Sequence, residues 1–127
     1  MSQPLVFISR HKVKEGQLDE LKKSFDENVP VLQSEKPGTV LFYAYLNQAE
    51  TEIRFVHVFP DAEAMDAHLV GAAERSADSM RFLQPVSFRV FGKPSEQALE
   101  MLRESSESGA ELTIIPNPVG GFIRLSD

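Results

Sequence analysis

The sequence predicts an α+β sandwich with the element order strand, helix, strand, strand, helix, strand. Three observations carry that expectation. Four stretches have the two-residue alternation or β-branched and aromatic enrichment of strands, and two have apolar residues spaced by three or four, as on one face of a helix. The halves carrying them, residues 5–47 and 53–92, have nearly equal length. Zero Cys among 127 residues removes the disulfide frameworks that hold other small folds together.

Leu5 to Val13 is the first strand, with Leu5, Phe7, Ser9, His11 and Val13 on one side of the pleat and Val6, Ile8, Arg10 and Lys12 on the other. The Glu15-Gly16 turn leads into Leu18, Leu21, Phe25, Val29 and Leu32, an amphipathic helix in which Pro30 should force a kink or a stop and restart. Pro37-Gly38 breaks the chain before a second strand within Thr39 to Asn47, and Ile53 to Phe59 returns as its antiparallel hairpin partner. Asp61 is placed to cap the next helix, whose stripe of Ala62, Met65, Leu69 and Ala72 or Ala73 loses regularity near Gly71 to Ser79 and predicts a bend or two pieces. Pro85 precedes a fourth strand, Val86 to Phe91, and Ser95 caps a short helix through about Arg103.

That order is the split βαβ arrangement of a ferredoxin-like sandwich. Residues 1–94 form its body, and 95–127 add a C-terminal helix and an extended arm to the same single domain. The arm carries Leu112, Ile114, Ile115, Val119, Phe122, Ile123 and Leu125, too apolar for a free solvated tail. Pro116 and Pro118 rule out a continuous helix, and an extended arm ending in a short strand at Phe122 to Leu125 is expected, packed across the partner subunit or the pocket mouth, with docking on its own subunit as the alternative. Two helices cover one face of a four-stranded sheet, yet these strands are apolar on both faces. A second copy of the sheet is the simplest cover, giving a homodimer through the sheet face.

Composition narrows the partners. The chain is 42% hydrophobic and 25% charged, an ordinary globular balance, and 19 acidic against 13 basic residues give a formal charge of -6 that repels phosphate backbones, so nucleic acid is not an expected partner. Leu5 to Ile8 is too short an apolar run for a signal peptide or a membrane span, which points to a cytoplasmic protein with no membrane partner.

The opening strand running into Lys14-Glu15-Gly16, then Glu35-Lys36-Pro37-Gly38-Thr39, and above all Phe55-Val56-His57-Val58-Phe59-Pro60-Asp61-Ala62-Glu63-Ala64 followed by His68, resemble the antibiotic-biosynthesis-monooxygenase-like family of the dimeric α+β barrel superfamily. The resemblance covers about residues 4 to 93. It implies a pocket, and among its members are small oxygenases that oxidise phenolic or quinol substrates without a metal or flavin, haem-degrading enzymes and isomerases. This chain has His57 where the family often has Glu and Phe59 where it often has Trp, and the absence of any Trp disfavours haem oxygenation.

What the resemblance implies for function is a homodimeric enzyme acting on an aromatic, phenolic or quinone-like metabolite with no bound cofactor; a non-catalytic small-ligand-binding or structural dimer of the same fold is the alternative. His68, at the edge of the helical stripe, is the candidate base: a neutral imidazole there can take a proton from a phenol or quinol. His57 shares strand parity with Phe55 and Phe59 and is a candidate second acid or base, while Tyr43, Tyr45 and Phe59 are candidates to line the pocket. For His68 and His57 the competing reading is a hydrogen-bonded packing histidine. Arg10, Arg54 and Arg89 could hold an oxyanion, with surface ion pairing as their default. No spacing forms a metal motif, and a metal site would require the fold to gather His11, His57 and His68.

Overall fold

The computed structural model describes residues 3–107 and 109–125. The chain runs β1 (Leu5–Val13), α1 (Leu18–Glu35), β2 (Leu41–Leu46), β3 (Glu52–Phe59), α2 (Ala62–Leu69), α3 (Ala72–Ser79), β4 (Leu83–Phe91), α4 (Glu96–Ser106) and β5 (Glu111–Ile115). The strands form one sheet in the order β2-β3-β1-β4-β5. β4 and β5 are parallel and the other neighbours antiparallel, so β1 to β4 have the expected ferredoxin-like arrangement.

Strand parity sorts the side chains cleanly. Leu5, Phe7, Ser9, Ile53, His57, Phe59, Phe88 and Val90 are buried on the side covered by the helices. Met65 and Leu69 of α2 and Ala98 and Leu102 of α4 complete the main core with them, while Leu21 of α1 packs with Ile53, Phe82 and Leu83 at the other end. On the outer face the register aligns Leu41, Val58, Val6, Phe91 and Ile115 in one row across all five strands. The next row reads Tyr43, Val56, Ile8, Arg89 and Thr113, and the third Tyr45, Arg54, Arg10, Ser87 and Glu111. The face therefore grades from wholly apolar at one edge to charged at the other.

The helical expectations hold where a cap or a stripe specified them. Asp61 Oδ1 accepts from the Ala64 amide at 2.8 Å and Ser95 Oγ accepts from the Ala98 amide at 3.0 Å, which starts α2 and α4 at the expected residues. The irregular stretch resolves into α2 and α3, divided at Gly71, whose φ of 81° suits a residue without a Cβ. Pro30 does not end α1, which stays helical from Leu18 to Glu35. Pro30 and Asp26, the residue that loses its hydrogen-bond donor, are both exposed, so water can serve the freed carbonyl while the inward stripe continues.

Two expectations are corrected. Pro85 lies inside β4 rather than before it, opposite His11, where the β1–β4 register shifts between Arg10 and His11; such a bulge tolerates the missing amide. The tail forms its strand at Glu111–Ile115, earlier than expected, and no strand forms at Phe122 to Leu125. Parallel pairing with β4 reaches an open sheet edge directly after the α4 crossover, whereas Val119 and Phe122 stay exposed. The first part of the arm thus docks on its own chain.

Cap and core should differ in weight. Asp61→Ala, which leaves the Ala64 amide uncapped, should cost about 1 kcal/mol, and Phe59→Ala, at a side chain with no exposed surface, about 3–5 kcal/mol. Urea unfolding of both variants measures this; a loss at Phe59 no larger than at Asp61 would contradict its central position.

Candidate functional site

Between the helix-side face of the sheet and α1, α3 and α4 lies a chamber of about 590 Å³. Phe7, Phe42, Phe55 and Phe88 line it from four adjacent strands, Phe25 and Leu21 line it from α1, and His11, His57 and His68 all reach it. Its volume is that of an ordinary small-molecule site. The apolar parity of each strand builds the wall, and histidines at positions where that parity demands an apolar residue supply its polar points.

His57 points inward from β3 and is 7% exposed. Its Nδ1 lies 3.0 Å from the Phe7 carbonyl oxygen, which can only accept, so the proton sits on Nδ1 and Nε2 carries the lone pair. Phe7 stacks on the ring at 4.9 Å. His68 is 4% exposed and lies one turn after fully buried Met65, with its ring edge-on to His57 at 5.1 Å between centroids. Its Nδ1 meets the Thr39 hydroxyl at 2.7 Å. Phe42 packs against both imidazoles, 4.9 Å from His57 and 6.0 Å from His68.

Burial controls the protonation of all three imidazoles. Loss of hydration lowers the pKa of His11 and of His57 to about 4. For His68 burial is again the main cause, with the nearby His57, Arg75 and Lys36 adding to it, and the value falls to about 3. Each is neutral near pH 7. His11 Nδ1 is buried and has no hydrogen-bond partner among the described residues. An unmet lone pair costs less than an unmet N–H, so its proton belongs on Nε2.

The last turn of α2 is held from outside. Lys36, at the end of α1, donates to the Ala67 carbonyl at 2.9 Å and the Val70 carbonyl at 3.0 Å. Arg75 of α3 donates to the His68 carbonyl at 2.7 Å and the Val70 carbonyl at 3.0 Å. These bonds satisfy carbonyls that a helix end leaves open, and they fix the backbone that carries His68.

The structure thus brings His57 and His68 together against Phe59, and Tyr43 shares with His68 a second, smaller cavity beside Thr39 and Phe42 rather than the chamber. Tyr43 and Tyr45, 60% and 56% exposed, stand on the outer face, their rings 5.3 Å apart. The parity of β2 puts Phe42 and Ala44 inward instead, so Phe42 occupies the wall expected of the tyrosines. Phe59 lies behind the imidazoles, 5.3 Å from His68, as a fully buried support rather than a lining residue. Arg10 and Arg54 are on the outer face, with Glu52 at 3.1 Å and 4.0 Å, and Arg89 is exposed there as well. Although one chamber receives all three histidines, no group of three His, Asp or Glu among the described residues is placed to hold a metal ion. Sequence reasoning missed the roles of Phe42, Thr39, Arg75 and Lys36: Lys36 and Thr39 lie in the motif that carries the resemblance, β2 is apolar on both faces and so did not single out Phe42, and no signal existed for Arg75.

With that geometry in view, the comparisons define the class. Residues 4–75 match the family described as antibiotic biosynthesis monooxygenase, and the chain belongs to it. Among solved structures, MupZ from Pseudomonas fluorescens is similar with a TM-score of 0.66 and 18% identity over 95% of this chain and 91% of that one. SnoaB from Streptomyces nogalater, described as a cofactor-independent oxygenase, gives 0.59 and 15%, covering 74% of this chain and 96% of its own. Rv0793 from Mycobacterium tuberculosis gives 0.60 and 18%, covering 74% and 98%. These likenesses show the shared fold. No curated protein matches significantly. No helix among the described residues is long and apolar enough to cross a membrane.

The depressed histidines have a consequence for stability. An unfolded histidine takes up its proton near pH 6.5, whereas these wait until about 4 or about 3. Between those values the unfolded chain holds more protons, so stability falls as pH falls below 6.5. The urea midpoint should drop between pH 7 and pH 5, and the drop should be shallower in His57→Phe; an unchanged slope in that variant would mean that His57 titrates normally in the fold.

Proposed function

We propose that the chain is a homodimeric oxygenase that acts on an aromatic, phenolic or quinone-like small molecule bound in the helix-side chamber, with no bound cofactor. The observation that carries this reading is the pairing of two neutral imidazoles, His57 and His68, edge-on in an aromatic wall. The wall suits a flat ring system, and the imidazoles supply proton acceptors beside it. His68 is the base, and His57 orients the substrate through its Nε2 lone pair. Family membership and the likeness to SnoaB support the same direction.

The chemistry balances without another redox partner. Transfer of the phenol proton to His68 leaves an anion that gives one electron to dioxygen. The resulting radicals join at a ring carbon as a peroxide anion, which takes the proton back from His68 to become a hydroperoxide, and loss of water with the ring hydrogen leaves a quinone. One oxygen atom ends in the quinone and one in water, which matches a four-electron oxidation of the phenol to four-electron reduction of dioxygen.

The low proton affinity of empty His68 favours a second reading, a non-catalytic ligand-binding dimer, because a base near pKa 3 takes a phenol proton only if the bound anion restores its affinity. Oxygen uptake separates the two. With a dihydroxynaphthalene as probe, the protein should consume oxygen, and His68→Ala should reduce the rate by about 10²–10⁴-fold. Binding of the probe without oxygen uptake would favour the second reading.

The outer face supports the dimer in this reading. The row Leu41, Val58, Val6, Phe91 and Ile115 spans the whole sheet without a charge, and the exposed rings of Tyr43 and Tyr45 extend it. Two copies related by a two-fold axis cover both rows together. Light scattering at low micromolar concentration should give about twice 14.2 kDa, and Val58→Lys should shift it toward the single mass. A folded wild-type monomer at that concentration would defeat the assembly.

A further inference from the structure

His68 stands between two cavities. Beside the chamber lies a second one of about 440 Å³, between the later part of α1 and the edge strand β2, and His68, Phe42, Val29 and Leu32 line both. Thr39 lines only the second. Gln33, Pro37, Val40 and Tyr43 of its lining are exposed, so it opens to solvent at the β2 edge of the sheet. A space of that size with polar groups on its wall has room for water.

The two ring nitrogens of His68 have different surroundings. Nδ1 lies 2.7 Å from Thr39 Oγ1. Nε2, across the ring, has no hydrogen-bond partner among the described residues, and unlike Nδ1 of His11 it is not sealed. The Thr39 hydroxyl can accept from Nδ1–H or donate to a bare Nδ1. Donation would leave an N–H on Nε2 with no acceptor bonded to it, facing the rings of Phe42, His57 and Phe59. Acceptance leaves only a lone pair there and turns the hydroxyl proton toward the second cavity, where water can take it. The second arrangement costs less, so Nδ1 carries the proton and Nε2 is bare.

We propose that Thr39 is a positioning residue for His68 and the head of a proton passage from the chamber to the second cavity. This rests on the reading of His68 as the base, and it adds where the proton goes. The ligand O–H breaks as an N–H forms at Nε2. The Nδ1–H breaks as a new O–H forms on Thr39, and the former hydroxyl proton passes to water in the second cavity. No electron moves in these transfers. The ring ends as the other neutral tautomer, with Nδ1 accepting from Thr39. The reverse sequence returns a proton through Nε2 to the peroxide anion, so the proton count closes.

The surroundings of the ring favour such a passage. Burial and the charges of Lys36 and Arg75 oppose an imidazolium, and a ring with a pKa of about 3 gives an added proton up to water at pH 7 wherever a route exists. Gaining at Nε2 while losing at Nδ1 spares it that charge. His57 has no equivalent route. Its Nδ1 meets the Phe7 carbonyl, which accepts a hydrogen bond but holds no proton to pass on.

Nitrogen NMR of the isotope-labelled, full-length protein without ligand reads the arrangement at pH 7. Wild-type His68 should carry its proton on Nδ1. Thr39→Val keeps the shape and loses the hydroxyl; it should lower the ratio of Nδ1–H to Nε2–H at least about threefold and slow exchange of the remaining Nδ1 proton with water at least about tenfold. Thr39→Ser should keep both readouts within about twofold of wild type. With the dihydroxynaphthalene, Thr39→Val should lower kcat about tenfold or more with KM within about twofold, and Thr39→Ser should restore the rate. Circular dichroism checks the fold, and Thr39→Ala takes the place of Thr39→Val if that variant does not fold. A wild-type proton on Nε2 overturns the proposal without any variant. Unchanged tautomer and exchange in the hydroxyl-free variant overturn it too, and so does an equal loss in the Ser variant, which would assign Thr39 to packing alone. Oxygen uptake that survives loss of the hydroxyl at the wild-type rate leaves the oxygenase reading standing while the passage falls. The expected tautomer and exchange without oxygen uptake do the reverse.

Discussion

The packing of α2 across β3 is the contact on which the functional side of the molecule depends. Phe59 ends β3 and Met65 sits in the middle of α2, and neither has exposed surface. Between them Pro60 stops the strand and Asp61 caps the helix, so the chain reverses within a few residues and α2 returns over the strand it has just left. Helical spacing then sets His68 three residues after Met65, on the same inward side. Because strand parity has already turned His57 inward two residues before Phe59, the two imidazoles meet at 5.1 Å. Each histidine owes its position to a buried apolar neighbour, and the pair needs no direct bond between its members.

The surroundings explain how such a pair stays uncharged. Burial removes the hydration that an imidazolium needs, and no carboxylate pairs with either ring in the described residues to replace it. Lys36 and Arg75 push in the same direction from the far end of α2. Their bonds to the helix carbonyls fix the backbone that carries His68, and their charges add to the burial that keeps its ring neutral.

The sequence was most legible where a single local rule decides the outcome. Alternation fixed the faces of β1 and β3, and Asp61 and Ser95 announced the starts of α2 and α4 because a cap needs one oxygen at one position. The tyrosines show where local reading ended. Tyr43 and Tyr45 share a parity, but Leu41, Phe42 and Ala44 make both faces of β2 apolar, and only pairing with β3, which sets Phe42 beside His57, decides which face turns inward. The tail failed for a similar reason: Leu112 to Ile115 and Phe122 to Leu125 are comparably apolar, and the choice belongs to the open edge of β4, a feature of the assembled sheet. The roles of Arg75 and Lys36 were not legible because they depend on two helix ends coming together at the end of α2.

Pairing also couples the two faces of the sheet. Phe42 walls the chamber while its neighbours Leu41 and Tyr43 belong to the outer rows, and His57 alternates with Val56 and Val58 in the same way. A strand cannot shift by one residue to improve the outer surface without turning its inward histidine or phenylalanine out. The backbone register that creates an uncharged row from Leu41 to Ile115 therefore also fixes the distance between Phe42, His57 and Phe7. Covering the outer face with a second copy would hold that register under load from both sides, because slippage would have to break the interface and the chamber together. The chamber contains no residue of the outer rows, yet its geometry depends on the same hydrogen-bonded ladder, and this would give the proposed assembly a physical route to influence a site that it does not touch.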